Sequence, residues 1–293
     1  MNAARHSTQR SIGAILIDTG RLKAEDAERI LRFQKGKNLR FGDAAIELGI
    51  LVAADIRYAL SYQFDYAYLP STGEKPVSEE LVAAYQPFSH EVEQLRAVRS
   101  QLMLRCFDKD SRSPALAIIS AGPAEGCSYI AANLAIVFSQ LGERTLLIDS
   151  NLRTPRQHEL FKLENKIGFS SVLAGRADGA EATVRIPVFV NLSVLPAGPT
   201  PPNPQELLNR PGFGDLLDAA AQDYDIVLLD TSAMYVGADA TMVAARAGTA
   251  LIVGRMIETR VSAFRDMAGQ LTRSGVAVVG SVLNDPPLVG VTR

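Results

Sequence analysis

The sequence predicts an α/β fold, a mostly parallel sheet with helices on both faces, preceded by a small, mainly helical repeat domain. Three observations predict it. Six apolar, β-rich runs recur through the last two-thirds of the chain, with helical stretches between them. Those runs are apolar along most of their length, as strands buried on both faces are. The first sixty-odd positions instead carry a tandem repeat with helical spacing.

In chain order, "IGAILIDTGRLKAEDAERILRFQ" begins at Ile12 and "FGDAAIELGILVAADIRYALSYQ" at Phe41, an offset of 41 − 12 = 29. The offset pairs Gly13 with Gly42, Gly20 with Gly49, Leu22 with Leu51, Asp26 with Asp55, Leu31 with Leu60 and Gln34 with Gln63. Each copy reads as a short helix, a glycine stop and an amphipathic second helix. Two copies can bury their apolar stripes on each other where one cannot. Next comes "LPSTGEKPVSEELVAAYQPFSH", whose Pro70, Gly73, Pro76 and Pro87 mark a linker broken by one short helix. "EVEQLRAVRSQLMLRCF" is an amphipathic helix. The strands are "ALAIIS", "TLLIDS", "LSVLPAG", "DIVLLD", "ALIVG" and "VAVVGSVL", with helices such as Tyr129–Leu141 and Ala238–Ala247 between them. The expected domains are 1–70 (helical repeat), 71–90 (linker) and 91–293 (α/β).

The bulk numbers exclude several classes. With 47% hydrophobic and 21% charged residues the chain is globular. A net charge of −2 gives no support for a nucleic-acid or anionic-membrane partner. Two cysteines, Cys106 and Cys127, are too few for a disulfide framework and fit a reduced, cytoplasmic setting. The N-terminus is a poor signal peptide, and no window approaches 18 apolar residues. Any membrane link is expected to run through a partner.

The chemistry concentrates in "IISAGPAEGCSYIAANLA", a strand, a glycine-containing loop and a helix. Such a loop presents backbone N–H groups to phosphates at a helix N-terminus. A working one adds a lysine for the β/γ-phosphates, a Ser or Thr for Mg²⁺, and acidic groups on neighbouring strand ends. Gly126 and Ser128 are present, Asp149 ends "TLLID" and Asp230 ends "DIVLLD", while Ala121 replaces the first glycine and Cys127 the lysine. The plain alternative is an α/β domain with an incidental Ser-Gly turn. Cys127 at a helix N-terminus also raises a redox-thiol reading, because that position lowers a thiol pKa.

The region from about Glu91 to Asp285 resembles the bacterial tyrosine kinases (BY-kinases) of exopolysaccharide synthesis, within the deviant P-loop ATPases. Their "PGEGKS" loop matches Pro123-Ala124-Glu125-Gly126-Cys127-Ser128. "IDADLRxP" matches Ile148 to Pro155, and "DxxLIDTPP" matches Asp225 to Ala233. "NPQELL" at Asn203–Leu208 matches another family stretch, and Glu93, Arg96 and Arg99 match an E-x-x-R-x-x-R oligomerisation helix. The resemblance is to stand-alone chain-length-determinant kinases without a fused membrane domain. It implies ATP or ADP with Mg²⁺ bound by residues 123–129 and Arg153, with Ser128, Asp149 and Asp230 at the metal. It also implies a homo-oligomer and an inner-membrane polysaccharide co-polymerase as partner.

Three departures oppose catalysis. Cys127 replaces the lysine, Asn151 replaces the aspartate that the resemblance makes the base for the tyrosine hydroxyl, and the family's tyrosine tail is missing, the last tyrosine being Tyr235. A lost charge-assisted hydrogen bond costs about 1.5–3 kcal/mol. A lost transition-state stabiliser costs on the order of 10²–10³ in rate, and a lost general base about 10²–10⁴.

The N-terminal repeat resembles the N-terminal domain of type II secretion and pilus-assembly ATPases, some of which bind cyclic di-GMP. Their motif runs from "RLG" to "L-x-x-Q", twice. The second copy has Arg40-Phe41-Gly42, Leu60 and Gln63. The first has Ile12-Gly13, Leu31 and Gln34, with its arginine displaced to Arg10. The resemblance implies arginines stacking on guanine and glycines admitting the ligand. A helical docking domain without ligand is the other reading.

The expected function is a cytoplasmic kinase-like regulator, in effect a pseudo-kinase, of exopolysaccharide polymerisation or export, with cyclic di-GMP as a possible input. The alternatives are an active tyrosine autokinase and a ParA/MinD-type positioning ATPase. Against the last, the extra signature lysine is absent where Gly122 and Pro123 lie.

Overall fold

The computed structural model describes residues 11–63, 68–70, 73–107 and 114–285, with side chains omitted for 61–63. The chain divides into two compact units, Met1–Pro70 and Ser71–Arg293.

In the first unit α1 (Ile12–Asp18), α2 (Ala24–Lys37), α3 (Phe41–Glu47) and α4 (Ala53–Gln63) follow the repeat. Ser11 caps α1, its hydroxyl accepting from the Ala14 N–H. Gly20 and Gly49, both left-handed, turn the chain after α1 and α3. Packing crosses between copies, α1 on α4 and α2 on α3. The buried set obeys the 29-residue offset, with Ile15 and Ala44, Leu16 and Ala45, Leu22 and Leu51, Ile30 and Ala59 all in one core. Neither copy could bury its stripe alone.

The second unit opens with α5 (Val82–Tyr85) and α6 (His90–Arg105), followed by β1 (Ala115–Ser120), α7 (Cys127–Leu141) and β2 (Thr145–Asp149). Three short helices follow, α8 (Gln157–Leu160), α9 (Phe169–Leu173) and α10 (Gly179–Ala182). Then come β3 (Val184–Arg185), β4 (Leu192–Leu195), α11 (Pro204–Leu208), α12 (Gly212–Asp223) and β5 (Ile226–Asp230). A 3₁₀ turn at Met234–Val236 leads to α13 (Asp239–Ala247), β6 (Thr249–Arg255), α14 (Val261–Arg273) and β7 (Ala277–Asn284). The sheet order is β3-β4-β2-β5-β1-β6-β7. All pairs are parallel except β3–β4. β1, β2 and β5 are buried along their whole length, which is why they read as unbroken apolar runs.

Two features differ from the sequence-based expectation. β3 was not expected, because two exposed residues carry no periodic signal. The stretch expected as a linker packs onto the sheet unit instead. Ser78 N–H donates to Leu160 O, Ala83 N–H to Asn133 Oδ1, and the Tyr85 hydroxyl to Val77 O. Its prolines and glycine shape a docked strap, fixed by Leu81, Ala83 and Ala84, all fully buried.

Candidate functional site: a phosphate-type loop at the end of an inner strand

β1 runs between β5 and β6, so its carboxyl end opens mid-sheet, where parallel sheets place ligands. The loop there is braced from several directions. Ala124 and Gly126 take left-handed φ values of 58° and 95°. A Cβ on Gly126 would lie 2.1 Å from Asn284 Nδ2, so a side chain there is strained by its φ and displaces that amide. The Glu125 carboxylate folds back, accepting from Ala121 N–H at 3.0 Å and from Thr259 Oγ1 at 2.6 Å. Asn284 Nδ2 donates to Glu125 O and Arg255 Nη1 to Ala124 O, each at 3.1 Å. Beyond the loop, α7 begins at Cys127, and first-turn N–H groups of a helix have no intrahelical acceptor. Pro123 and Ala124 are exposed at the tip.

Cys127 faces inward. Its Sγ donates to Ile118 O at 2.8 Å, a carbonyl that also accepts from Thr231 Oγ1. Burial, then the nearby Asp230 charge, pushes the thiol well above its ordinary range. The lowering expected from a helix N-terminus is thus reversed. The thiol stays neutral and unreactive, and it brings no charge to a phosphate.

Asp149 and Asp230 are direct neighbours in register on β2 and β5, and both are fully buried. Burial, then Asp230, raises Asp149 well above the usual carboxylate range, against backbone donors from Gln157, Arg156 and Asn151. Those N–H groups, at 2.9, 3.0 and 3.2 Å, occupy both Asp149 oxygens. Asp149 therefore anchors the following loop. Asp230 is raised to about 6 by burial, partly offset by Gln157, Ser128 and Cys127. Its Oδ2 accepts from Gln157 Nε2 at 2.7 Å, while Oδ1 is buried without a hydrogen-bond partner, as is Gln157 Oε1. Two unpartnered buried acceptors beside Ser128 suit a hydrated cation. Among the described residues no three His, Cys, Asp or Glu side chains converge on a metal position. A Mg²⁺ that keeps several waters and phosphate ligands needs no such cluster.

Gln157, a bridge from Ser128 O to Asp230, was missed in sequence. The available signal was a polar residue in the loop that must return over the buried Asp149.

Several expected site residues point elsewhere. Arg153 donates to Asp239 at 2.7 and 3.2 Å, with Gln205 on the same carboxylate. Burial would raise Asp239, but Arg153 and Gln205 hold it below the ordinary range. Arg153 is thus a brace between β2 and α13, with no free donor fork for a nucleotide. The Tyr129 hydroxyl donates to Glu91 Oε1 at 2.5 Å, tying α7 to α6, and burial followed by Glu91 raises its pKa. Asn151 caps its own turn, Nδ2 donating to Thr154 O and Oδ1 accepting from Thr154 N–H. On α6, Glu93 and Arg96 pair at 2.9 Å, whereas Arg99 donates to Val137 O of α7 at 2.8 Å. Six helical positions turn about 240°, so Arg99 leaves the face that Glu93 and Arg96 share.

In the first unit the glycines are not openings. A Cβ on Gly13 would meet the Phe41 ring at 3.2 Å, and one on Gly42 the Ile56 side chain at 3.0 Å. They admit neighbouring side chains of the unit, where a ligand was expected. Ile12 packs on the core, Gln34 and Leu60 are half-buried, and Leu31 and Arg40 are exposed. Arg10 and the Gln63 side chain lie outside the described residues. Arg21, not singled out in sequence, stacks 4.1 Å from the Tyr58 ring and pairs with Asp55.

No family model matches the chain. Tyrosine-protein kinase YwqD of Bacillus subtilis is 34% identical over 212 residues, covering 72% of this chain and 88% of that protein. Putative tyrosine-protein kinase CapB of Staphylococcus aureus is 33% identical over 203 residues, covering 69% and 88%. Against tyrosine-protein kinase wzc of Salmonella typhimurium identity is also 33%, but the chain spans only 28% of that longer protein. The kinase domain of Escherichia coli tyrosine kinase ETK superposes with a TM-score of 0.69 at 28% identity, covering 78% of this chain and 93% of that one. The cell division ATPase MinD of Pyrococcus furiosus shares the fold at a TM-score of 0.51 and 22% identity, covering 58% and 71%. A third of positions identical across most of two proteins of one kind, on one fold, makes this chain a member of the bacterial tyrosine kinase (BY-kinase) family.

Proposed function

We propose that this chain is a cytoplasmic pseudo-kinase of the BY-kinase family that regulates exopolysaccharide polymerisation or export through an inner-membrane polysaccharide co-polymerase. The observation that carries it is the inward, neutral Cys127 at the position where phosphate transfer needs a cation. In this reading the loop and α7 N–H groups would cradle ATP or ADP, and Ser128 and Asp230 would hold Mg²⁺. Asp149 fixes the strand-end loop beside them. The metal, when bound, neutralises phosphate charge. Asn151, closed on Thr154, supplies no base for a tyrosine hydroxyl. Any membrane contact runs through the partner; among the described residues no helix is long and apolar enough to cross a bilayer. Self-association is assigned to the Glu93–Arg96 face of α6.

One purified sample tests the reading, with Mg-ATP binding by calorimetry and phosphotyrosine after incubation with labelled ATP. Weak binding without incorporation is expected. Robust incorporation that vanishes in Asp230→Ala would establish the autokinase instead. Cys127→Lys with Asn151→Asp should tighten ATP binding; if it does not, the loop is misassigned.

For the N-terminal unit, docking is the first role. Cyclic di-GMP is a second reading, supported by the exposed Arg40 at the start of α3. Calorimetry on the full chain with cyclic di-GMP decides it, since an unchanged response in Arg40→Ala leaves docking alone.

A further inference from the structure

Cys127 brings no cation to the loop, and Arg156 lies in the neighbouring segment that holds the strand-end carboxylates. Arg156 follows the strand-end turn of β2, and its backbone N–H is bound to Asp149 Oδ2 at 3.0 Å. The next residue, Gln157, joins Ser128 O to Asp230 Oδ2. Arg156 is therefore built into the loop that holds both strand-end carboxylates and the first turn of α7. Its positive charge is felt at Asp230, whose carboxyl it helps hold down.

The side chain is parked. Nη2 donates to both oxygens of Glu80, at 2.8 and 3.1 Å, and Glu159 lies 3.9 Å from Nε. Glu80 belongs to the docked strap and sits against α7, where Asn133 Nδ2 donates to both Glu80 O and Tyr129 O. The pair is half-exposed, with side chains 43% and 50% accessible, so solvent screens it and little holds it shut. Two other arginines of this pole are engaged with structural partners. Arg153 is bound in a fork to the buried Asp239, and Arg255 braces the loop at Ala124 O.

Building on the nucleotide reading above, we infer that Arg156 leaves Glu80 when a nucleotide binds and supplies the phosphate cation that position 127 lacks. A guanidinium suits this task because its planar donor fork matches phosphate oxygens. Glu80 acts as a competing anion that sets how readily the arginine is released. The strap is thereby coupled to the nucleotide state of the site.

Calorimetry with Mg-ADP on the full chain tests the inference. Arg156→Ala should weaken binding by about ten- to a hundred-fold, the effect of losing one charged contact. Arg156→Lys should retain most of it. Glu80→Gln, which frees the arginine, should tighten it. Adding Cys127→Lys to Arg156→Ala should restore affinity, which a merely structural role for Arg156 would not allow. Wild-type binding that is unchanged in Arg156→Ala, or a double variant as weak as the single one, overturns the role of Arg156. Absence of Mg-ADP binding by the wild type overturns the nucleotide reading itself, and this role with it.

Discussion

Replacing Asp230 by Asn removes a buried charge that the fold tolerates poorly. Asp230 is fully buried and its carboxyl is raised from 3.8 to about 6, chiefly by burial. A group whose folded pKa exceeds its unfolded value binds more protons when folded, so its contribution is present below the unfolded value. It is lost as pH rises through about 6. The shift is roughly two units, and at about 1.4 kcal/mol per unit the ionised site costs about 3 kcal/mol above that pH. Asp149, in register and also raised, loses a like-charged neighbour in the variant, which adds in the same direction. In EDTA at pH 7.5, Asp230→Asn should therefore melt several degrees above the wild type, and at pH 4 the two should nearly coincide. Asp225 and Asp239 are both lowered and give the opposite slope, but they are common to both proteins and cancel in the difference. Thermal unfolding followed by circular dichroism measures this. Mg²⁺ should then stabilise the wild type at pH 7.5 and leave the variant nearly unchanged. A variant less stable than the wild type at pH 7.5 would refute the burial argument.

Two further outcomes are expected. Gly126→Ala combines a left-handed φ of 95° with a Cβ 2.1 Å from Asn284 Nδ2, so it should cost about 1–3 kcal/mol in a urea titration; an unchanged midpoint would mean the loop is not braced as described. On α6, Arg99→Ala should lower stability without changing molecular mass, because Arg99 binds Val137 O, whereas Glu93→Ala with Arg96→Ala should reduce the mass seen by light scattering and spare stability. The same response from both variants would dissolve that division of labour.

Much of this molecule was legible in its sequence. β1, β2 and β5 are buried runs, so their apolar stretches announce them, and Asp149 and Asp230 stand out as charges closing such runs. The repeat was legible because its offset recurs in the buried pairs. The loop's supports were not. Thr259 and Asn284 reach Glu125 from far along the chain, and nothing local marks a threonine or asparagine as a brace. Arg153 and Arg99 carried the right residue type in the right motif, yet each is drawn to a nearby acceptor of its own fold, Asp239 and Val137 O. The strap of residues 73–89 was misjudged because proline and glycine signal a break in periodicity and say nothing about what the segment packs on.

The Asn284 contact also sets an order of events during synthesis. The loop between β1 and α7 emerges from the ribosome early, but the side chain that closes over Gly126 is made 159 residues after Glu125. Arg255 and Thr259, the other distant supports, also arrive late. Until β7 adds to the sheet, a nascent chain can hold β1, β2 and β5 with the loop unbraced. The braced shape of that loop is then the last property the sheet unit acquires, and it reports that the whole sheet has been completed.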